Sequence, residues 1–167
     1  MGRFRPPAPK SSPYITSAGY VALQEELKGL WIRRRDVTKA LAAAAAEGDR
    51  SENAEYIYRK KELAGIDRRI RYLQKRLPAL KVVSEPPPDR SRVFFGATVT
   101  LQDDNGGMVT YRIVGADELC SEKGWISMDA PLARAILKRA VSDEVEVQLP
   151  DGRINYCIIS VTYEHGA

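Results

Sequence analysis

Histidine is almost missing from this chain: one occurs in 167 residues, His165, within three places of the end. That leaves no imidazole for a Ser–His or Cys–His catalytic pair in the body of the sequence. Cysteine is nearly as scarce. Cys120 and Cys157 stand far apart with no CxxC spacing, which argues against a disulfide scaffold or a zinc site and fits free thiols in a reducing cytoplasm. No run of about 18 apolar residues occurs, so no membrane-spanning helix is expected. The N-terminal stretch with Arg3, Arg5 and Lys10 lacks the apolar core of a signal peptide. Phosphate-cradling glycine loops and dinucleotide fingerprints are absent too. What remains, 29% charged and 44% hydrophobic, is ordinary for a soluble chain of one or two small domains. Nothing in it supports a self-contained enzyme.

Charge is unevenly shared. Residues 1–81 hold 18 Lys and Arg against 9 Asp and Glu, a balance of +9, while residues 82–167 hold 8 against 13, a balance of −5. A basic half joined to an acidic half points the first toward a polyanion or an acidic protein surface. Solvated helix faces are the plainer reading of any single basic residue.

Periodicity divides the chain at the same place. Tyr20, Leu23, Leu27, Leu30, Val37, Leu41 and Ala44 recur at alternating intervals of three and four, with Arg34 in the one missing position. Leu63, Ile66, Ile70, Leu73, Leu77 and Leu80 keep the same alternation. Two such heptad seams, joined by the short Glu47-Gly48-Asp49-Arg50 with Gly48 as a natural C-cap, predict an antiparallel helical hairpin. Helices of roughly 30 residues give an arm on the order of 45 Å long, narrowed near its tip by the alanines at 42–46. Pro78 ends the second helix or kinks its last turn. Glu85-Pro86-Pro87-Pro88-Asp89 reads as a semi-rigid linker. The expected organisation is a hairpin over 1–81, a linker over 82–92 and a second domain over 93–167. That second domain alternates as strands at Val93–Leu101, Met108–Val114, Trp125–Met128, Glu144–Leu149 and Asn155–Tyr163, with turn signals at Asn105-Gly106 and Asp151-Gly152. A short helix starts with Pro131 at N1. The fold class is α+β, with the sheet largely antiparallel.

The candidate chemistry lies at the hairpin tip. Asp49 and Glu52 stand three apart, which fits a capping box at a helix start. The same two carboxylates, with Glu47 and Glu55 nearby, also fit a weak Mg²⁺ site that needs further ligands from a partner. Arg33, Arg34 and Arg35 on the first helix and Arg68, Arg69, Arg71, Lys75 and Arg76 on the second form a cationic cluster. It suits phosphate or carboxylate recognition, or else a solubilising face with pairs such as Asp67 to Arg71.

The run Glu47-Gly48-Asp49-Arg50-Ser51-Glu52-Asn53-Ala54-Glu55-Tyr56, with the helix start Ile15-Thr16-Ser17-Ala18-Gly19-Tyr20, resembles the bacterial Gre transcript-cleavage factors. Phe95-Gly96-Ala97-Thr98-Val99 and the segment Ile126 to Leu137 extend the match over nearly the whole chain. Arg50, the Arg-Phe-Arg-Pro-Pro N-terminus and the run Ile66 to Leu73 are similar to the GreB branch in particular. The resemblance implies a coiled-coil hairpin followed by an FKBP-like domain, acting on bacterial RNA polymerase as a cytoplasmic, monomeric accessory factor. The second domain would dock at the rim of the secondary channel through Asp129 and Pro131. The hairpin would carry Asp49 and Glu52 to the catalytic centre to help hold a Mg²⁺ shared with the polymerase, with Ser51 and Asn53 orienting the tip. The basic helix face would approach the backtracked RNA or the channel wall, and the polymerase would then hydrolyse the RNA. A non-cleaving secondary-channel regulator is the alternative. A stand-alone prolyl isomerase and a coiled coil that binds naked RNA or DNA are remoter ones.

Overall fold

The computed structural model describes residues 10–50 and 52–164 and divides into two compact units, Ala18–Leu80 and Met1–Ser17 with Lys81–Ala167. The first unit is the helical hairpin. Helix α1 runs Ser17–Ala45 and α2 runs Ala54–Ala79. Leu23, Val37 and Ala44 are buried on α1, and Ile66, Ile70 and Leu73 on α2, all of them seam positions. Val37, Ile66 and Ile70 form a core cluster against which Leu27, Leu30 and Leu63 pack. Each large aliphatic side chain fully buried in this way contributes about 1.5–3 kcal/mol. Pro78 lies inside the last turn of α2, where it ends the helix one residue later without breaking an earlier turn.

The seam is backed by polar crosslinks. Arg33 Nη2 lies 2.5 Å from Glu62 Oε1, Arg34 Nε 2.7 Å from Asp67 Oδ1, and Arg69 Nε 2.6 Å from Glu26 Oε1. Arg34, which replaces an apolar residue in the heptad pattern, therefore joins the helices by charge where its neighbours join them by packing.

The second unit holds a five-stranded sheet in the order β5-β4-β3-β7-β6. Its strands are β3 (Thr98–Asp103), β4 (Met108–Val114), β5 (Trp125–Ser127), β6 (Glu144–Leu149) and β7 (Gly152–Thr162). All pairings are antiparallel except β4 with β5, which is parallel. Val99, Leu101, Ile113, Val145, Val147 and Ile158 point to one face and pack with Ala133 and Ile136 of helix α3 (Pro131–Ile136). Alternation along each strand makes that face apolar and leaves the other polar. Both turn signals are realised, with Gly106 at φ 82° and Gly152 at φ 132°.

Two features depart from the sequence reading. The first strand of the five-stranded sheet, β3, begins at Thr98, not Val93, because Gly96 adopts φ 86° and turns the Phe94–Ala97 segment. In addition, β1 (Tyr14–Thr16) and β2 (Lys81–Val83) form a parallel two-stranded ribbon in the second unit, with Tyr14 opposite Lys81 and Thr16 opposite Val83. The expected hairpin domain over 1–81 thus gives up its N-terminal segment, and the expected linker over 82–92 starts as a strand. The ribbon is fastened to the rest of its unit by side chains. Ser12 N donates to Asp129 Oδ2 at 2.8 Å and Ser12 Oγ donates to Asp129 Oδ1. Glu118 accepts from the amides of Thr16 at 3.1 Å and Gly115 at 2.9 Å, and from the Thr16 hydroxyl.

Candidate functional site

The connection between the helices spans 46–53, longer than the four residues expected, because α1 ends at Ala45 and α2 begins at Ala54. Gly48 takes φ 128°, in the half of conformational space that L side chains avoid, and lets the chain reverse there. The N-cap of α2 is Asn53, with extended backbone at φ −86° and ψ 100°. Its Oδ1 accepts from the amide of Tyr56 at 3.0 Å, and its Nδ2 donates to the carbonyl of Ala44 at 2.7 Å. One side chain thus closes the first turn of α2 and the last turn of α1 together. This corrects the Asp49–Glu52 capping box: the N-cap lies one residue past Glu52, so the two carboxylates precede the helix they were expected to start.

Asp49 and Glu52 are both exposed at this tip. Ser51 lies outside the described residues, as does the Arg-Phe-Arg-Pro-Pro motif. The neighbouring charges are partly committed. The Arg50 guanidinium sits over the Tyr56 ring, 5.6 Å from its centroid, and Glu55 is held by Arg59 at 2.8 Å. Arg59 also reaches Glu62 at 3.0 Å, so a chain Glu55–Arg59–Glu62–Arg33 runs down from the tip. Glu55 is therefore part of the scaffold and separate from the exposed pair. Two carboxylates on a narrow protrusion fit an oxygen-seeking divalent cation that keeps several waters and takes its other ligands elsewhere. No group of three or more metal-binding side chains occurs among the described residues.

Loss of hydration pushes the Glu62 carboxyl up, but the hydrogen bonds and charges of Arg33 and Arg59 outweigh it and hold Glu62 below the usual carboxylate range. A depressed carboxyl stabilises the fold above its unfolded value and stops doing so as pH falls through its folded one. Glu62→Gln is expected to lower the melting temperature at pH 7, with the gap to wild type narrowing below about pH 4. Parallel melts across that range would show it, and a gap independent of pH would mean that Glu62 acts by packing alone.

The cationic cluster separates into two sets. Arg33, Arg34 and Arg69 are the interhelical crosslinks already described, and Arg69 also lies 5.2 Å from the centroid of the Tyr72 ring. Asp67, expected to pair with Arg71 along the helix, pairs with Arg34 across it. Arg35, Arg68, Arg71 and Lys75 are exposed and make no ion pair among the described residues, while Arg76 is half-buried. In the second unit the Asp129 carboxylate is engaged by Ser12, and Pro131 is exposed at the start of α3. The residues missed from the sequence are Ser12 and Glu118, whose roles depend on contacts more than 100 positions apart, and Trp31, which is half-exposed on α1. Its place outside the heptad seam was the available signal. Cys120 and Cys157 are free thiols, and no helix among the described residues is long and apolar enough to cross a membrane.

Known proteins match the chain along its length. A family model described as the N-terminal domain of transcription elongation factors covers residues 13–82, and one described as the C-terminal domain of GreA/GreB covers 87–163. Transcription elongation factor GreB of Xanthomonas axonopodis pv. citri is 57% identical over 98% of both chains. GreB of Pseudomonas aeruginosa is 51% identical, again over 98% of both. GreB of Haemophilus influenzae is 50% identical over 92% of this chain and 98% of its own.

Proposed function

Since the chain belongs to the GreA/GreB family of transcription elongation factors, on its GreB side, we propose that it enters the secondary channel of bacterial RNA polymerase and stimulates hydrolysis of backtracked nascent RNA. The observation that carries this reading is the placement of Asp49 and Glu52. Both are exposed at the end of a charge-braced hairpin, and Asn53, not either acid, caps the following helix. Both carboxylates lie at the solvent-exposed tip, where a divalent cation that keeps several of its waters can reach them.

In this reading the chain itself performs no complete reaction. Asp49 and Glu52 supply oxygen ligands that complete a Mg²⁺ site whose other ligands belong to the polymerase. Such an ion, when bound, lowers the pKa of its water and stabilises charge on the phosphoryl oxygens. Asn53 fixes the spacing between the ends of α1 and α2, and with it the position of both carboxylates. The paired arginines 33, 34 and 69 keep the arm stiff. Arg35, Arg68, Arg71, Lys75 and, at its base, Arg76 present positive charge to the extruded RNA or the channel wall. The turn at Asp129 and Pro131 docks the second unit at the channel rim. Since the Asp129 carboxylate is occupied by Ser12, its contribution there is the shape of the turn, and Pro131 offers the exposed apolar contact.

The test uses the cognate polymerase stalled in a backtracked complex, with Mg²⁺ and 3′-labelled RNA. Adding the protein is expected to accelerate release of the labelled fragment and restore extension. Binding without acceleration would instead identify a non-cleaving regulator of the same channel.

A further inference from the structure

A surface groove of about 480 Å³ runs along α1, lined by Trp31, Arg34, Arg35, Thr38 and Lys39. Spacings of three, four, seven and eight place these residues on one stripe of helix. The Trp31 side chain is 45% exposed, and it stands outside the seam that buries the apolar face of the same helix. The floor of the groove is fixed: Arg34 is bound to Asp67 at 2.7 Å, and the Thr38 hydroxyl donates to the Arg34 carbonyl at 2.7 Å. Arg35 and Lys39 are exposed and form no ion pair among the described residues.

An open indole followed by two uncommitted cations has a particular chemical complement. From Trp31 to Arg35, and from Arg35 to Lys39, the helix rises about 6 Å. A ligand that matches the stripe therefore needs a flat apolar group and then anionic charge at repeated short intervals. Single-stranded nucleic acid has both, because bases stack on aromatic faces while basic residues track the phosphates. An acidic protein segment would satisfy the cations but not the indole.

We propose that Trp31, with Arg35 and Lys39, forms a base-stacking step for single-stranded RNA on the hairpin. As an event on the polymerase this rests on the secondary-channel reading above. Position then selects the RNA. Trp31 lies 14 residues before Ala45, about 21 Å of helix back from the tip end of α1. Only RNA extruded by several nucleotides past the cleaved bond would reach the indole. RNA backtracked by two nucleotides would not.

The experiment compares full-length wild type, Trp31→Ala and Trp31→Phe, with thermal melts to verify folding. Each is titrated at low salt with an oligoadenylate of about 12 nucleotides and with an abasic strand of the same length. Each is also assayed for cleavage on complexes backtracked by two nucleotides and by about ten. Trp31→Ala is expected to weaken oligoadenylate binding about 5- to 150-fold, with Trp31→Phe retaining most of it and the abasic strand binding all three alike. Cleavage of the longer-backtracked RNA should fall while that of the shorter stays at the wild-type rate. Unchanged oligoadenylate binding by Trp31→Ala overturns the proposal, and so does an equal loss on both strands, which would show the indole acting only through helix structure. A variant that keeps RNA binding but loses polymerase binding would assign the indole to a protein contact, also against it. If wild type cleaves neither complex, the secondary-channel reading fails, while the oligoadenylate and abasic comparison still decides the stacking.

Discussion

Asp49→Asn and Glu52→Gln are each expected to abolish stimulated RNA cleavage while leaving polymerase binding unchanged. Both substitutions preserve size, remove the negative charge and replace one acceptor oxygen with an NH2 donor, so a carboxylate is no longer offered to a cation. Loss of a partner that merely supports a metal ligand typically costs about 10–100-fold in affinity or activity, so loss of a direct ligand should exceed that. The local structure makes the comparison clean. Tyr56's amide is capped by Asn53 and the Ala44 carbonyl is bonded to the same side chain, so neither substitution uncaps α2. Circular dichroism of the variants should match wild type. Near-normal cleavage by either variant, with binding intact, would remove that carboxylate from the metal site.

Gly115→Ala is expected to produce the largest loss of stability outside the sheet core. A Cβ at position 115 would lie 2.2 Å from the Tyr14 carbonyl oxygen and 3.0 Å from Glu118 Oε2. The first of these is backbone, so no rotamer relieves it. Either β1 must lift away from β4 or Gly115 must shift and pull its amide from Glu118. Overpacking of this kind costs about 1–3 kcal/mol. The upper end is expected here, because the displaced strand also carries the Ser12–Asp129 and Thr16–Glu118 bonds. Urea denaturation gives the size of the effect, and hydrogen exchange at residues 14–16 gives its location. A wild-type midpoint would mean that the ribbon can move aside without penalty.

Much of the fold was legible because it is periodic. The heptad spacing from Tyr20 to Ala44 and from Leu63 to Leu80 marked the residues that pack, since a 3.5-residue repeat admits no other burial pattern. Two-residue alternation likewise located β4 and β6 to the residue, and most of β7 but not its first three residues, which continue from the turn at Gly152. What was hidden is either short or non-local. Three residues cannot display a period, so β1 and β2 left no trace, and they pair positions 67 apart in the chain. The apolar run from Val93 to Val99 read as strand because one glycine at positive φ inside it is not visible as such. At the tip, Asp49-x-x-Glu52 and Asn53-x-x-Tyr56 compete for one helix start, and the side-chain bond to Ala44 decides it. The arginines gave their charge but not their partners, because the register between helices determines whether Asp67 meets Arg34 or Arg71.

The ribbon also has a bearing on how the molecule can be divided. The proline-rich segment after β2 looks like the place to cut, yet a fragment beginning there would lack both β1 and β2. Asp129 would lose Ser12, Glu118 would lose Thr16, and the backbone beside Gly115 would be bared. In connectivity the hairpin is an insertion: residues 18–80 interrupt a unit whose parts lie on either side of them. A faithful excision therefore removes the interior and splices the segment ending at Ser17 to the one beginning at Lys81. Because β1 and β2 run parallel, the splice must cross back along the ribbon, which calls for a linker of a few residues rather than a direct join.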